Sequence, residues 1–538
     1  MMLRYDTQTG EMIYDLPAPK ERETYSVFEI LFAWLCLAAG YVFCRVFPVV
    51  LHPFGGFLFI VILLIGTVIL QKCRKVRLGL MPMVLIGTAL LLSPSLFLSA
   101  NKLIHMLVYN YSLVVWLYSL YGADGGTLEG GYSDLLAMDF LKAVFVLPFT
   151  SFSKLLPALF SGKGKGRGVL LKTLLGIAMA VIPTVVVISL LSYDKSFTAL
   201  FGKIFALDWG TLFSHIFSLL VAIPLAMYFY GVFFSSVRKK CVDRVTASRC
   251  REKASKLRLL PALTALVSVL PLLAVYGIFF ISQWGYYTSA FTGVLPDNIS
   301  YAEYAREGFF QLCAVSVINL LLIVLICFFV RRKGEKPTVL IRVLSLSFSV
   351  ATLILMVTAF SKLYLYIDRF GLTPKRLYAG WFMVVLALVF ILVIVKQFAC
   401  RFKLLPTAML ACVGLFAVLA LSRSDALIAE YNVDRYLNGS LKTIDISAMQ
   451  DLGDAAIPSM ARLGGELARR TGTTLAEYNY RTYNGLYDEV AAYLYHRAEY
   501  YKEPMSFFSF TLPRLRAERA LDAAGIRGRS FENDVNNF

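Results

Sequence analysis

Long apolar stretches alternate with short polar connections from residue 27 to residue 421. Eleven of them have about 18 to 24 residues, the length that a helix needs to cross a hydrocarbon core of roughly 30 Å. A helix satisfies its own backbone polar groups in lipid, whereas an open sheet does not. The pattern therefore predicts eleven transmembrane helices, at residues 27–47, 53–70, 78–98, 103–121, 169–191, 211–234, 259–281, 309–330, 339–360, 377–398 and 404–421.

The segment that follows the last apolar stretch is polar, yet it keeps apolar residues at helical spacing. Ile457, Met460 and Leu463 form one stripe, and Tyr487, Val490 and Leu494 form a second one. Helices are predicted there near 457–471, 474–502 and 513–524. The expected fold is all-α: a polytopic helical membrane bundle of about 11 transmembrane helices with a small C-terminal helical extramembrane domain.

Composition strengthens this interpretation. Of the 538 residues, 58% are apolar, and the mean hydropathy is +0.67. In soluble globular proteins roughly half of the residues are apolar. The chain is therefore expected to be an integral membrane protein whose main partner is the lipid bilayer.

The formal charge of +18 is unevenly distributed. The segment 422–538 holds 14 Lys and Arg against 16 Asp and Glu, so the rest of the chain carries +20. This excess lies in the loops near residues 72–77, 163–167, 238–258, 331–336 and 396–403, while the loops between them are close to neutral. Such alternation is typical of membrane topology, and we expect no nucleic-acid partner.

The positive-inside rule predicts a multi-pass membrane protein with its N-terminus in the cytoplasm and its C-terminus outside. One segment departs from the rule. Residues 361–376 are predicted outside, yet they hold four basic residues against the single acidic Asp368. This surplus of cations suggests that an anionic group belongs nearby, either a carboxylate of the tail or a ligand.

The same pattern predicts a division of the chain into five parts. A cytoplasmic segment (1–26) is followed by a four-helix membrane part (27–121), and by an interfacial or re-entrant element with a basic linker (122–168). A seven-helix membrane part (169–421) precedes the extracytoplasmic helical domain (422–538).

Little in the sequence indicates catalysis or a bound cofactor. The predicted spans hold almost no charged residues, which disfavours ion-coupled transport. The four histidines form no pair with ligand spacing, and the nine cysteines form no CxxC pair. We therefore predict no metal, no cofactor and no catalytic residue.

Three polar segments have motif character, and the topology predicts all of them outside. The sequences are YAEYAREGFFQL from residue 301, YIDRFGLTPKRLYA from residue 366 and IAEYNVDRY from residue 428. Gly371 is suited to a turn and Pro374 to a helix start. The candidate outer polar cluster is Glu303, Tyr304, Arg306, Glu307, Tyr366, Asp368, Arg369, Arg376, Asp434 and Arg435.

These three segments, with DAAIPSM from residue 454, resemble an uncharacterised bacterial polytopic membrane family, domain of unknown function 4173, which is related to family 4153. The resemblance covers about residues 180–520, and the first 130 residues match no family pattern. It implies a multi-span protein of the bacterial envelope, located in the cytoplasmic membrane, with a polar C-terminal extension, and it supplies no reaction or ligand.

Two hypotheses account for the candidate cluster. Its ion pairs would dock the tail on the outer ends of the later spans, or its arginines would grip an anionic group in a shared outer pocket. The first favours a non-enzymatic envelope scaffold or sensor that binds an envelope component or partner protein. The second favours an enzyme or transporter acting on a lipid-linked or anionic lipid substrate at the outer leaflet, with Glu303 or Asp368 as acid or base.

Overall fold

The structure is a computed structural model. It describes residues 3–5, 12–14, 24–46, 53–123, 126–161, 209–238, 246–292, 301–331, 338–399, 401–478, 485–502 and 505–526, with scattered positions between 176 and 191.

Helices make up almost all regular structure of the described residues. They are α1 (Val27–Val46), α2 (Pro53–Cys73), α3 (Leu80–Leu92), α4 (Ser95–Leu98), α5 (Lys102–Tyr121), α6 (Leu136–Leu141), α7 (Leu147–Thr150), α8 (Leu155–Leu159), α9 (Trp209–Val237), α10 (Ala247–Lys256), α11 (Ala262–Thr292), α12 (Tyr301–Phe329), α13 (Val339–Phe370), α14 (Pro374–Phe398), α15 (Leu404–Leu421), α16 (Ser424–Leu437), α17 (Ile446–Gln450), α18 (Ile457–Thr471), α19 (Leu486–Tyr500) and α20 (Leu512–Ala523). A short antiparallel hairpin pairs β1 (Leu3–Tyr5) with β2 (Met12–Tyr14).

Within the described part of the chain, ten helices are long and apolar enough to cross a membrane, and they coincide with ten of the predicted spans. The span predicted at 169–191 lies outside the described residues except for scattered positions. Two further helical pieces, Leu136–Thr150 and Phe152–Leu159, meet at 50° as a broken span or a re-entrant loop. The all-α polytopic fold is confirmed, and the five-part division stays a prediction.

The chain forms two compact units. The first contains Met1–Arg45 and Pro148–Arg238. In this unit α1 packs closely on α9, and the rings of Phe32 and Phe233 stack with their centroids 3.7 Å apart. An ion pair of 2.7 Å between Glu29 and Arg238 joins the first turn of α1 to the residue after α9.

The second unit contains Val46–Leu147 and Lys239–Phe538. Its membrane core packs α11, α12, α13 and α14 around apolar side chains. Buried hydrogen bonds also connect three of these helices. Tyr276 donates a hydrogen bond to Asn319 (2.6 Å), and Asn319 donates to Thr352 (2.9 Å). These bonds join three spans, as polar side chains commonly do between helices in lipid.

Loops that the charge pattern predicts inside meet one another at one end of this second unit, which we call the basic end. Ion pairs and backbone bridges connect them there. The contacts are Arg251 to Glu129 (2.6 Å), Lys396 to Asp134 (3.2 Å), Lys403 to the carbonyl of Tyr132 (2.6 Å), and the bridges Leu78 to Ala123 and Leu260 to Val330.

At the other end, which we call the junction end, the connection between the ninth and tenth predicted spans is shorter than expected. The sequence predicts a loop at 361–376, but α13 continues to Phe370, so only residues 371–373 lie between helices. No glycine or proline interrupts residues 361–370, which is why the helix continues. Gly371 has φ 76° and Pro374 begins α14, as predicted.

The tail folds into a helical domain around α16, α18, α19 and α20. Met460, Leu463 and Leu494 are fully buried in its core, as their spacing predicts. The helix predicted at 474–502 begins only at Leu486, because Gly485 precedes it with φ 75° and a short 3-10 turn occupies Leu475–Glu477.

Candidate functional site

The tail joins the membrane part directly, since α16 begins three residues after the last span ends. Arg423 between them adopts the left-handed conformation, with φ 54° and ψ 47°. This turn places Asp425, which is 5% exposed, at the junction end. A buried carboxylate there needs hydrogen-bond partners, because an unpaired buried charge is costly.

Asn101 supplies those partners. Its Nδ2 donates to both carboxylate oxygens of Asp425 (3.1 and 3.0 Å) and to the hydroxyl of Tyr378 (2.5 Å), which belongs to α14. Its Oδ1 accepts from the backbone of Leu103 and Ile104 and so caps α5. Burial raises the pKa of Asp425, and its hydrogen bonds partly offset this. One amide thus connects the fourth span, the tenth span and the tail.

A second amide, that of Asn432, attaches the tail to the connection between α13 and α14. Asn432 of α16 accepts from the backbone N–H of Leu372 and donates to its carbonyl, both at 2.7 Å. A Cβ on Gly371 would lie 2.6 Å from Oδ1 of Asn432, and the φ of +76° also favours glycine. The contact therefore depends on both residues.

The structure gives partners to several members of the candidate cluster. Asp368 at the end of α13 pairs with Arg435 of the tail at 2.9 Å. The guanidinium of Arg435 also donates to the hydroxyl of Tyr431 (3.1 Å) and to Ser440 (3.2 Å). Asp434 pairs with Arg462 inside the tail.

Arg376, on the segment with the unexpected surplus of cations, has mainly a structural role in the connection between α13 and α14. It donates to the carbonyls of Phe370 (2.9 Å) and Gly371, and it lies 4.0 Å from the ring centroid of Tyr366. The pKa of Asp445 is lowered by hydrogen bonds from Ser447 and from a backbone N–H, and by the positive charge of Arg376. A tail carboxylate thus lies near one of these cations.

For the remaining members of the candidate cluster, the described residues show no contact with the tail. Arg369 is exposed and has no partner among the described residues. Glu303, Tyr304, Arg306 and Glu307 belong to the first two turns of α12, and their side chains lie outside the described residues.

An aromatic contact that the sequence analysis did not identify adds to the junction. Phe54 in the first turn of α2 packs edge-on against Phe507 (5.1 Å) and Phe510 (6.0 Å) of the tail. The ring centroid of Phe97 lies 5.6 Å from that of Phe54. Edge-to-face packing at these distances is favourable for aromatic rings. No periodicity signals it, because the partners are more than 400 residues apart in the sequence.

A cavity of about 280 Å³ opens between the tail and the ends of the third and last spans. We call it the junction pocket. The first turns of α16, α18 and α20 line it together with the end of α4. Its lining residues are Leu98, Ser99, Ala100, Arg423, Asp425, Ala426, Leu427, Glu430, Asp454, Ala455, Pro458, Ser459, Arg462, Leu512, Pro513 and Arg516.

Three arginines and three carboxylates line the junction pocket, and half of them have partners. Asn101 holds Asp425, while Asp454 pairs with Arg497 and accepts from the hydroxyl of Tyr501 at 2.6 Å. Asp434 holds Arg462. The other three, Arg423, Glu430 and Arg516, are exposed and have no partner in the described part of the chain.

The prolines at 458 and 513 indicate helix starts in the sequence, but nothing there indicates that the starts meet. No group of three or more His, Cys, Asp or Glu among the described residues could hold a metal ion.

Comparison with known proteins gives one relationship. No curated protein and no solved structure matches the chain. A family model described as domain of unknown function (DUF4153) matches residues 80–463, more than two thirds of the chain. The match includes residues 80–130, which the sequence motifs had left unassigned, and contains Asn101, Gly371 and Asn432. This chain therefore belongs to the DUF4153 family of domains of unknown function.

Proposed function

We propose that this membrane protein is a non-enzymatic scaffold or sensor of the bacterial envelope. Its C-terminal helical domain is fixed on the junction end of the membrane helices and receives an envelope component or a partner protein. The observation that carries the proposal is the set of buried polar contacts made by Asn101, Asp425 and Asn432 across that connection.

These contacts favour a fixed domain over a mobile lid. Asp425 and Asn432 are 5% and 6% exposed, so separation of the tail would break the contacts of both. A buried polar group that loses its partner costs about 1–3 kcal/mol if it stays buried. The ion pair of Asp368 adds orientation, since partly exposed pairs contribute only about 0–1 kcal/mol.

The proposal includes an orientation, with the N-terminus in the cytoplasm and the tail outside the cytoplasmic membrane. Its support is the separation of loops: the basic ones meet at the basic end, and the tail packs at the junction end. The closer affiliation with family 4173 is part of the same proposal.

The enzymatic alternative assigns an acid or base role to Glu303 or Asp368. The ion pair between Asp368 and Arg435 supports docking instead, because it joins that carboxylate to the tail. Separate Glu303→Gln and Asp368→Asn variants distinguish the two functions. Loss of a lipid-modifying activity with unchanged folding would favour chemistry, whereas a loosened tail favours docking.

A photocrosslinking experiment tests the proposal in cells that express the full chain. A photoreactive residue replaces Leu427, which is 48% exposed beside the junction pocket, and a control replaces Val343, which is 52% exposed on a membrane-spanning helix. We expect one discrete envelope adduct at position 427, absent at 343 and reduced by Asn432→Ala. No adduct at 427, together with turnover of a lipid by the purified protein, would overturn it.

A further inference from the structure

The junction pocket lies at the level of the ends of the membrane helices. Leu98 ends the third span, and Arg423 follows the eleventh span by two residues. The exposed Leu427 stands at the same cavity. A ligand in the pocket therefore has access to both the polar tail and the headgroup region of the bilayer.

The junction pocket has equal numbers of arginines and carboxylates, and the charged side chains without a described partner include both signs. Arg423 and Arg516 are free to bind an anion, and Glu430 is free to bind a cation, as judged over the described residues. A guanidinium presents a fork of donors that matches phosphate oxygens. A purely anionic ligand would satisfy the two arginines but would face the carboxylate of Glu430.

The backbone adds to the anion-binding side. The first turns of α16, α18 and α20 all reach the pocket, and these helices have 14, 15 and 12 residues. The N-terminus of a helix carries a partial positive charge and free N–H groups, which favour phosphate. Asp425 and Asp454 offset part of this field, but both are already held by other side chains.

We propose that the junction pocket binds the headgroup of a zwitterionic membrane phospholipid, namely a phosphate with a linked ammonium group. Arg423 and Arg516 bind the phosphate, and Glu430 binds the ammonium group. This inference rests on the proposed function, because it names the envelope component that the docked tail receives.

The test measures binding to the purified full-length protein in detergent micelles by calorimetry. The probes are glycerophosphoethanolamine, glycerophosphoglycerol and inorganic phosphate, together with dihexanoyl phosphatidylethanolamine. We expect glycerophosphoethanolamine to bind more tightly than the other two soluble probes. The dihexanoyl lipid should bind more tightly still, which distinguishes a lipid from a free phosphate ester as the source.

Variants separate the two halves of the site. Arg423→Gln and Arg516→Gln should each weaken glycerophosphoethanolamine roughly tenfold, since each removes charge-assisted hydrogen bonds. Glu430→Gln should weaken glycerophosphoethanolamine but strengthen glycerophosphoglycerol. Arg519→Gln is the control, because Arg519 is exposed on α20 and does not line the pocket.

Equal affinities for all soluble probes, or an equal loss in Arg519→Gln, would overturn the inference. A thermal unfolding curve matched to the native protein shows for each variant that a loss is not a folding defect. If headgroups fail to bind while the adduct at position 427 persists, only this inference fails and the scaffold function stands.

Discussion

Replacing Asn432 by alanine should loosen the tail from the membrane helices. The side chain makes two 2.7 Å hydrogen bonds to the backbone of Leu372, and both end with this substitution. Each bond contributes about 0.5–1.5 kcal/mol net, and a backbone group left buried without a partner costs about 1–3 kcal/mol. Since Leu372 is half-buried, we expect docking to weaken by about 2–4 kcal/mol.

Hydrogen exchange with mass spectrometry on the full-length protein measures this loss. Peptides covering 371–377 and α16 should exchange faster in Asn432→Ala, roughly 30- to 800-fold if exchange follows opening of the contact. The matched control is Asn438→Ala, since Asn438 is exposed at the end of the same helix. Gly371→Ala should cause a similar loosening through its steric conflict with Asn432.

The double variant sharpens the test. If Asn432 and Gly371 act through one contact, combining the two substitutions should cost clearly less than the sum of the single effects, because neighbouring sites are not additive. Exchange in Asn432→Ala that stays within threefold of Asn438→Ala would refute the reasoning. It would mean that the tail is held by other contacts alone.

Four further predictions follow. Burial raises the pKa of Asp425, so the folded state favours its protonated form. The stabilisation of docking by this protonation is complete below the ordinary pKa of 3.8 and is lost as pH rises through the raised pKa. Asp425→Asn should flatten this pH dependence in hydrogen exchange measured across pH. Asp368→Asn should weaken docking by only about 0–1 kcal/mol, since its carboxylate is 56% exposed, and a larger loss in unfolding measurements would contradict the ion-pair estimate. Phe507→Ala should cost about 0.5–1.5 kcal/mol through its ring pair with Phe54, while Phe508→Ala, which does not contact Phe54, should cost less in the same assay. A reporter fused after the last residue should be active outside the cytoplasm, and activity inside would reverse the proposed orientation.

The membrane helices could be predicted because hydrophobic length alone determines whether a segment can span lipid. Hydrophobic length does not predict the extension of α13, since residues 361–370 include the charged Lys362, Asp368 and Arg369 but contain no helix-breaking glycine or proline. The turn at Gly371 and the start at Pro374 were predictable, because their backbone requirements are local. The start of α19 at Leu486 is not predictable from the stripe of Tyr487, Val490 and Leu494, which gives no sign of the break at Gly485.

The candidate site was less predictable. The motif residues Asp368, Asp434 and Arg435 were recognised by their charge, but their partners depend on contacts far apart in the sequence. The sequence does not indicate that Asn101 and Asn432 make buried contacts, because an asparagine in a polar segment occurs equally in an exposed loop. Arg423 was overlooked since its left-handed backbone is set by the packing of the tail.

The bond between Asn101 and Asp425 also sets an order for biogenesis. The two residues are 324 positions apart, so at about 5–20 residues per second the amide waits roughly 15 to 65 seconds for its partner to be synthesised. Tyr378, which is 277 positions after Asn101, is synthesised before Asp425, so the carboxylate is the last partner to arrive. Closure of this contact therefore requires synthesis to have passed residue 425, and a chain that ends before it leaves the amide of Asn101 without its carboxylate partner.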